Sequence, residues 1–229
     1  MKNRLLNKIL KGCGYIRKDL AIRKLNEQKN EIVKLEEVSE IVQGAIYTRI
    51  KPSNDIDECA LLDTISMQEL NYTIGNALTY EKLESKVLNS KKTSCIFTKE
   101  DDVLVGLTMQ KAMVITSERS GKLALSNFAV IRIHDKNVID PNYLCWLINE
   151  NSYFKKLIDQ SSQGTSYVSI VSIATLRNLE IPIIEIEKQR KIGALYQLSI
   201  ERAKVGKNLE ELKNNLLKCN IERIYKGVK

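Results

Sequence analysis

Three places in this chain hold residues of the kind that do chemistry. Asp140-Pro141-Asn142-Tyr143 is one proline short of the (Asn/Asp/Ser)-Pro-Pro-(Tyr/Phe) site of amino-methyltransferases, and no glycine-rich cofactor loop precedes it. Asp followed by Pro is also a strong helix start, with Asp capping and Pro in the first turn, and that is how the tetrad reads. Glu100, Asp101 and Asp102 would suit a nuclease's divalent cation. They stand directly before the apolar run Val103–Leu107 and read instead as a solvated turn. His134 is the sole histidine and follows a strand end, with no nucleophile or carboxylate partner evident in the sequence. It reads as an ordinary surface residue.

The five cysteines (Cys13, Cys59, Cys95, Cys145, Cys219) are odd in number and far apart, and no pair has metal-ligand spacing. They read as reduced and mostly buried thiols of a cytoplasmic protein. GxGxxG, GxxxxGK[ST], HExxH and CxxC are all absent from the sequence. The expectation is a protein that is not an enzyme and holds no metal or cofactor.

The elements that would position these residues fall into three stretches. Residues 1–31 have Leu6, Ile9, Cys13, Ile16 and Leu20 at a 3-4 spacing, which predicts a helix. Gly12 and Gly14 weaken it by about 1 kcal/mol each. Lys8 and Lys11 break its apolar pieces and no small-residue cleavage site follows, so it does not read as a signal peptide. No run of about 18 apolar residues exists, so no membrane span is expected.

Residues 32–184 read as one mixed α/β (α+β) domain. VKLEEVSEIVQG predicts a strand and then a short helix closing at Gly44. AIYTRIKP, ALLDTI, CIFTKE, DDVLVGLTM, KAMVITS and KLALSNFAVIRI are strand candidates, and the polar insertions between them read as loops. A helix from Pro141 carries Tyr143, Leu144, Trp146 and Leu147 and extends as far as Ile158, with Trp146 and Phe154 in the core. After the loop QSSQGTS come a short helix over 173–179 and an edge strand Ile181-Pro182-Ile183-Ile184. Residues 185–229 read as one long helix, roughly 60 Å at 1.5 Å per residue. Leu195, Leu198, Arg202, Val205, Leu209, Leu212, Leu216, Cys219 and Arg223 alternate at 3 and 4, a coiled-coil seam that needs a second helix. That helix is either residues 1–31 or the same segment of a second copy.

Net charge is +8, unevenly spread. Residues 1–34 carry +7, residues 185–229 carry +5, and residues 35–184 carry −4. The basic excess sits at the two ends, so any nucleic-acid face of the middle must be a local patch.

The order DDVLVGLTM, SNFAVIRI, DPNYL, GTSYVSI, then IPIIEIEKQRKI leading into heptads resembles one target-recognition half of the DNA-specificity subunit of Type I restriction-modification systems. The resemblance covers roughly residues 32–226 and implies a half-size subunit with a single target-recognition domain. It implies a non-catalytic protein that reads double-stranded DNA and positions methyltransferase and restriction (translocase) subunits. S-adenosylmethionine would be bound by the methyltransferase partner. Two copies would pair through their long helices into a homodimer that reads a two-part site. The alternative is a regulator or decoy that occupies methyltransferase subunits without productive DNA recognition.

A DNA reader needs cations for phosphates, and amides, guanidinium groups or hydroxyls for base edges. On the resemblance, the candidates are Tyr47, Arg49 and Lys51 of the early strand and the basic stretch 82–122. Within that stretch Lys91, Lys92, Lys99, Lys111, Arg119 and Lys122 are the expected contacts. The loop Gln163, Gly164, Thr165, Ser166 and Tyr167 adds amide, hydroxyl and backbone donors.

Overall fold

The computed structural model describes residues 31–46, 59–81, 86–89, 95–161 and 170–227. The expected amino-terminal helix, the strand with Tyr47, Arg49 and Lys51, the pair Lys91 and Lys92, and the loop 163–167 lie outside the described residues.

Strand β1 (Glu31–Lys34) leads into a one-turn helix α1 (Leu35–Val38) and then β2 (Ser39–Gln43). The helix expected to close at Gly44 is therefore shorter and earlier. Residues 39–43 are instead held as a strand by β7 (Phe128–Ile133), in a register that sets Ser39 against Ile133 and Gln43 against Ala129. A distant partner overrides the local preference here. Gly44 extends this contact: its N–H donates to Phe128 O at 3.0 Å, and a Cβ would lie 2.2 Å from Leu125 O. Only glycine fits that approach.

Strands β5 (Val103–Gly106) and β6 (Lys111–Val114) complete an antiparallel sheet ordered β2-β7-β5-β6. Two smaller pairs flank it. One is β3 (Cys59–Leu62) with β4 (Lys86–Asn89); the other is β1 with β8 (Glu180–Ile183). Pro182 sits in that last two-stranded pair, as expected for an edge. CIFTKE and KLAL form no full strands. They are joined by the isolated bridge Phe97 to Leu123 and by backbone hydrogen bonds such as Ala124 N–H to Ile96 O at 2.9 Å, while Ala45 and Thr64 bridge to Leu125 and Leu123.

Helix α2 (Met67–Thr73) falls in a segment read from sequence as a loop. Its start is capped by Ser66, whose Oγ accepts the Glu69 N–H at 3.0 Å. Helix α3 (Pro141–Glu150) begins as expected, with Asp140 accepting the Tyr143 N–H at 2.9 Å. It does not run to Ile158. Asn151 interrupts it and opens α4 (Ser152–Ser161), its Oδ1 accepting from the Tyr153 N–H at 2.9 Å. Helix α5 (Ile173–Arg177), β8 and the 41-residue helix α6 (Ile186–Lys226) follow.

The sheet buries both faces. Val103, Val105, Ala129 and Ile131 meet Leu144 and Ile148 of α3, with Tyr196 and Ile200 of α6 behind them. Leu104, Met113, Phe128 and Val130 meet Ile65 and Leu70. Phe154 is buried and Trp146 packs half-buried against the first cluster, the core role expected for both. At the outer edges of the sheet, Asn149 bonds both backbone groups of Ala112 in β6, and Arg177 donates to Ile41 O in β2 at 3.2 Å.

Candidate nucleic-acid interface

Hydrogen bonds between two distant segments bring three of the expected cations to one side. The Thr98 N–H donates to Lys122 O and the Gly121 N–H donates to Thr98 O, both at 2.8 Å. Lys99, Arg119 and Lys122 therefore stand on adjacent strands of chain. Lys99 is exposed. Arg119 and Lys122 turn inward onto Glu69 of α2, which is only 2% exposed. Lys122 Nζ lies 2.8 and 3.0 Å from its two carboxylate oxygens, and Arg119 Nε lies 3.1 Å from one of them. A buried carboxylate is tolerable only with such partners. Two cations on one carboxylate leave a local excess of one positive charge, held in place. DNA would meet these groups only through donors that Glu69 leaves over.

Lys111 stands apart, at the start of β6. Its ammonium donates to Asn149 O at 2.9 Å and lies 3.8 Å from Glu150. Burial pushes its pKa down, helped by the charge of Lys155 and opposed by Glu150.

The acidic turn is solvated at Glu100 and in part at Asp101, as expected, but not at Asp102. Asp101 adopts a left-handed backbone (φ 67°) and pairs with Lys136. Asp102 is buried, because it accepts the Lys99 N–H at 2.8 Å and Arg132 Nε at 3.3 Å. Burial raises its pKa against those two bonds. Among the described residues no group of three or more His, Cys, Asp or Glu side chains could hold a metal ion. His134 is exposed. Cys145 is buried with its thiol pKa pushed up by burial, Cys95 is half-buried, and Cys219 is exposed on α6.

Sequence reasoning gave no role to the side chains that root α6. Gln189 is fully buried. It donates to Val138 O at 2.8 Å and Ile184 O at 2.7 Å, and accepts the Asp140 N–H at 3.0 Å. Gly193 lies where a Cβ would sit 2.7 Å from Asn142 Cβ. Gln197 donates to Asn142 at 2.9 Å, and Lys207 donates to Gly75 O at 2.6 Å. Tyr143, pushed up to about 12 by burial, donates to Pro182 O at 3.0 Å from the same region. Gln189 belongs to the Glu-x-x-x-Gln-x-x-Ile pattern of the sequence, which was the available signal. Glu69 had one too, its Ser-x-x-Glu spacing from Ser66. Its partners 50 and 53 residues away had none.

On the face of α6 opposite Gln189, Gly193, Tyr196 and Ile200 runs the expected seam. Leu195, Leu198, Val205, Leu209, Leu212 and Leu216 are 51–67% exposed. Among the described residues no element covers them. No described helix is long and apolar enough to cross a membrane.

No family model matches the sequence, and no curated protein matches it. Solved structures do. The Type I restriction-modification S subunit from M. genitalium aligns with a TM-score of 0.51 at 13% identity, over 89% of this chain and 48% of that one. A chain from a structural study of complex assembly and conformational transition in the type I R-M system aligns with a TM-score of 0.52 at 17% identity, over 84% of this chain and 45% of that one. The chain thus spans about half the length of the structures it matches. It has mixed helices and antiparallel sheets with a long carboxy-terminal helix, and this is the fold of Type I restriction-modification S subunits over about half their length.

Proposed function

We propose that this chain is a non-catalytic DNA-recognition subunit of a Type I restriction-modification system. The observation that carries the reading is α6, rooted on an α/β unit by one face and offering on the other an apolar seam that no described element covers. Two such helices, paired through the seams of two copies, would hold two α/β units at a set separation. The pair reads a two-part site and positions methyltransferase and restriction subunits on it in the cytoplasm. The chemistry, and S-adenosylmethionine with it, belongs to the methyltransferase. DNA contacts come from exposed Lys99, from Tyr47, Arg49 and Lys51, from Lys91 and Lys92, and from the loop 163–167. Arg119 and Lys122, held on Glu69, support the positive charge beside Lys99 from within.

The test is selection and sequencing of random duplex DNA bound by the purified protein, with and without a methyltransferase subunit from the same source. Two enriched blocks at a fixed spacer are expected, in mirrored order for a homodimer. No enrichment under either condition refutes the reading.

A second reading is a decoy that binds methyltransferase subunits without directing them. The internal pairing of Arg119, Lys122 and Lys111 favours it, as does the −4 charge of residues 35–184. Methyltransferase binding without any DNA preference is its signature.

A further inference from the structure

We propose that Asn149 and Tyr196 are positioning residues that fix the direction of the rod α6 relative to the sheet, and so set the spacer between the two DNA blocks. The proposal rests on the function argued above and deepens it.

Asn149 is buried near the end of α3. Its amide uses every polar atom. Oδ1 accepts the Ala112 N–H at 2.7 Å, and Nδ2 donates to Ala112 O and to the Tyr196 hydroxyl, each at 2.7 Å. Ala112 belongs to β6 and Tyr196 to α6. One side chain therefore ties sheet, α3 and rod at a single point.

Gln189 pins the start of the rod, Gln197 on Asn142 and Lys207 on Gly75 O hold it further along, and the Asn149–Tyr196 contact is the hydrogen-bonded link that ties it to the sheet. Tyr196 is seven residues beyond Gln189, about 10 Å at 1.5 Å per residue. Two anchors that far apart define a direction. From Tyr196 to Leu216, near the far end of the seam, is about 30 Å. A tilt of roughly 10° at the anchor moves that point by about 5 Å, between one and two base-pair steps of about 3.4 Å. Neither residue faces DNA: Tyr196 is 7% exposed and Asn149 is 1% exposed. Loosening this anchor would leave the bases that are read unchanged and blur the distance between them.

The experiment repeats the DNA selection with the full chain, Tyr196→Phe and Asn149→Ala, each first checked for cooperative unfolding. Tyr196→Phe keeps the ring and loses only the hydroxyl, so it serves if Asn149→Ala fails to fold. The expected result is the same two blocks in all proteins, with the single spacer of the parent spreading onto lengths about one or two base pairs away in the variants. An unchanged single spacer in the folded variants overturns the inference and leaves the proposed function standing. Altered blocks at an unchanged spacer also overturn it, because the pair would then act on base reading. If the parent itself enriches no paired blocks, the proposed function falls and this inference with it.

Discussion

The two halves of α6 have the same secondary structure and opposite surroundings. From Gln189 to Lys207 the helix is docked. It buries Gln189, Gly193, Tyr196 and Ile200, and its polar side chains bond the backbone or side chains of four other segments. Beyond Lys207 it touches little among the described residues, and it carries Leu209, Leu212, Leu216, Leu217, Ile221 and Ile224, all more than half exposed. The first half is specified by shape and hydrogen bonding, residue by residue. The second is specified only by a repeat, which asks for any helix with a matching repeat. On the proposed function, one half sets where the rod points and the other sets what it joins.

The most severe way to break this contrast is to charge the free half. Leu209→Glu, Leu212→Glu and Leu216→Glu together should weaken self-association at least about 1,000-fold, since each buried Leu contributes about 1.5–3 kcal/mol. Sedimentation velocity reads this. The monomer's urea midpoint should barely move, as for surface changes of about 0.5 kcal/mol or less. A dimer that survives the triple change would place the interface elsewhere.

In the docked half, Asn149→Ala strands both backbone groups of Ala112 and should cost about 3 kcal/mol in urea unfolding. A loss under about 1 kcal/mol would mean that water replaces the amide at no penalty.

A matched pair of glycines sharpens the comparison. Gly193→Ala drives a methyl group against Asn142 and Asp140 and should destabilise by about 1–2 kcal/mol. Gly206→Ala meets nothing within 4 Å and should stabilise by up to about 1 kcal/mol through helix propensity. Equal signs in thermal unfolding would erase the distinction between packed and open positions along the rod.

The smallest effect lies in the sheet and is one of pH. Burial of Asp102 outweighs the Lys99 N–H and Arg132, raising its carboxyl above the usual 3.8. A raised folded-state pKa gives stability that is fully present below 3.8 and is lost as pH rises through the raised value. The stability of the parent relative to Asp102→Asn should therefore fall between pH 4 and neutrality, by urea midpoints at stepped pH. A rise over that range would contradict the burial argument.

What the sequence made legible was whatever is decided locally. Asp140-Pro141 announced α3 because cap and first turn are adjacent residues, and the seam announced α6 because its repeat is internal to one helix. Ser39–Gln43 was read as helix because its pairing partner lies some 90 residues on, in β7. The end of α3 at Asn151 depended on one side chain turning back to cap the next helix. Arg119 and Lys122 read as outward cations because nothing near them in sequence reveals Glu69. Asp102 read as solvated for the same reason: Arg132 is 30 residues away. Gln189 stands in the sequence within Glu-x-x-x-Gln-x-x-Ile, but a glutamine's three bonds to two segments have no sequence signature.

The side chains at the rims of the sheet have one more consequence. An open strand edge invites a neighbour's strand and is a common start of aggregation. Here the amide of Asn149 stands in for the missing strand beside β6, and the guanidinium of Arg177 occupies a carbonyl of β2. With both rims taken at these points, growth of the sheet into a neighbouring molecule is discouraged. On the proposed function, partner choice is then left to the exposed leucines of a helix, and association runs along one line of side chains rather than along these two strand edges.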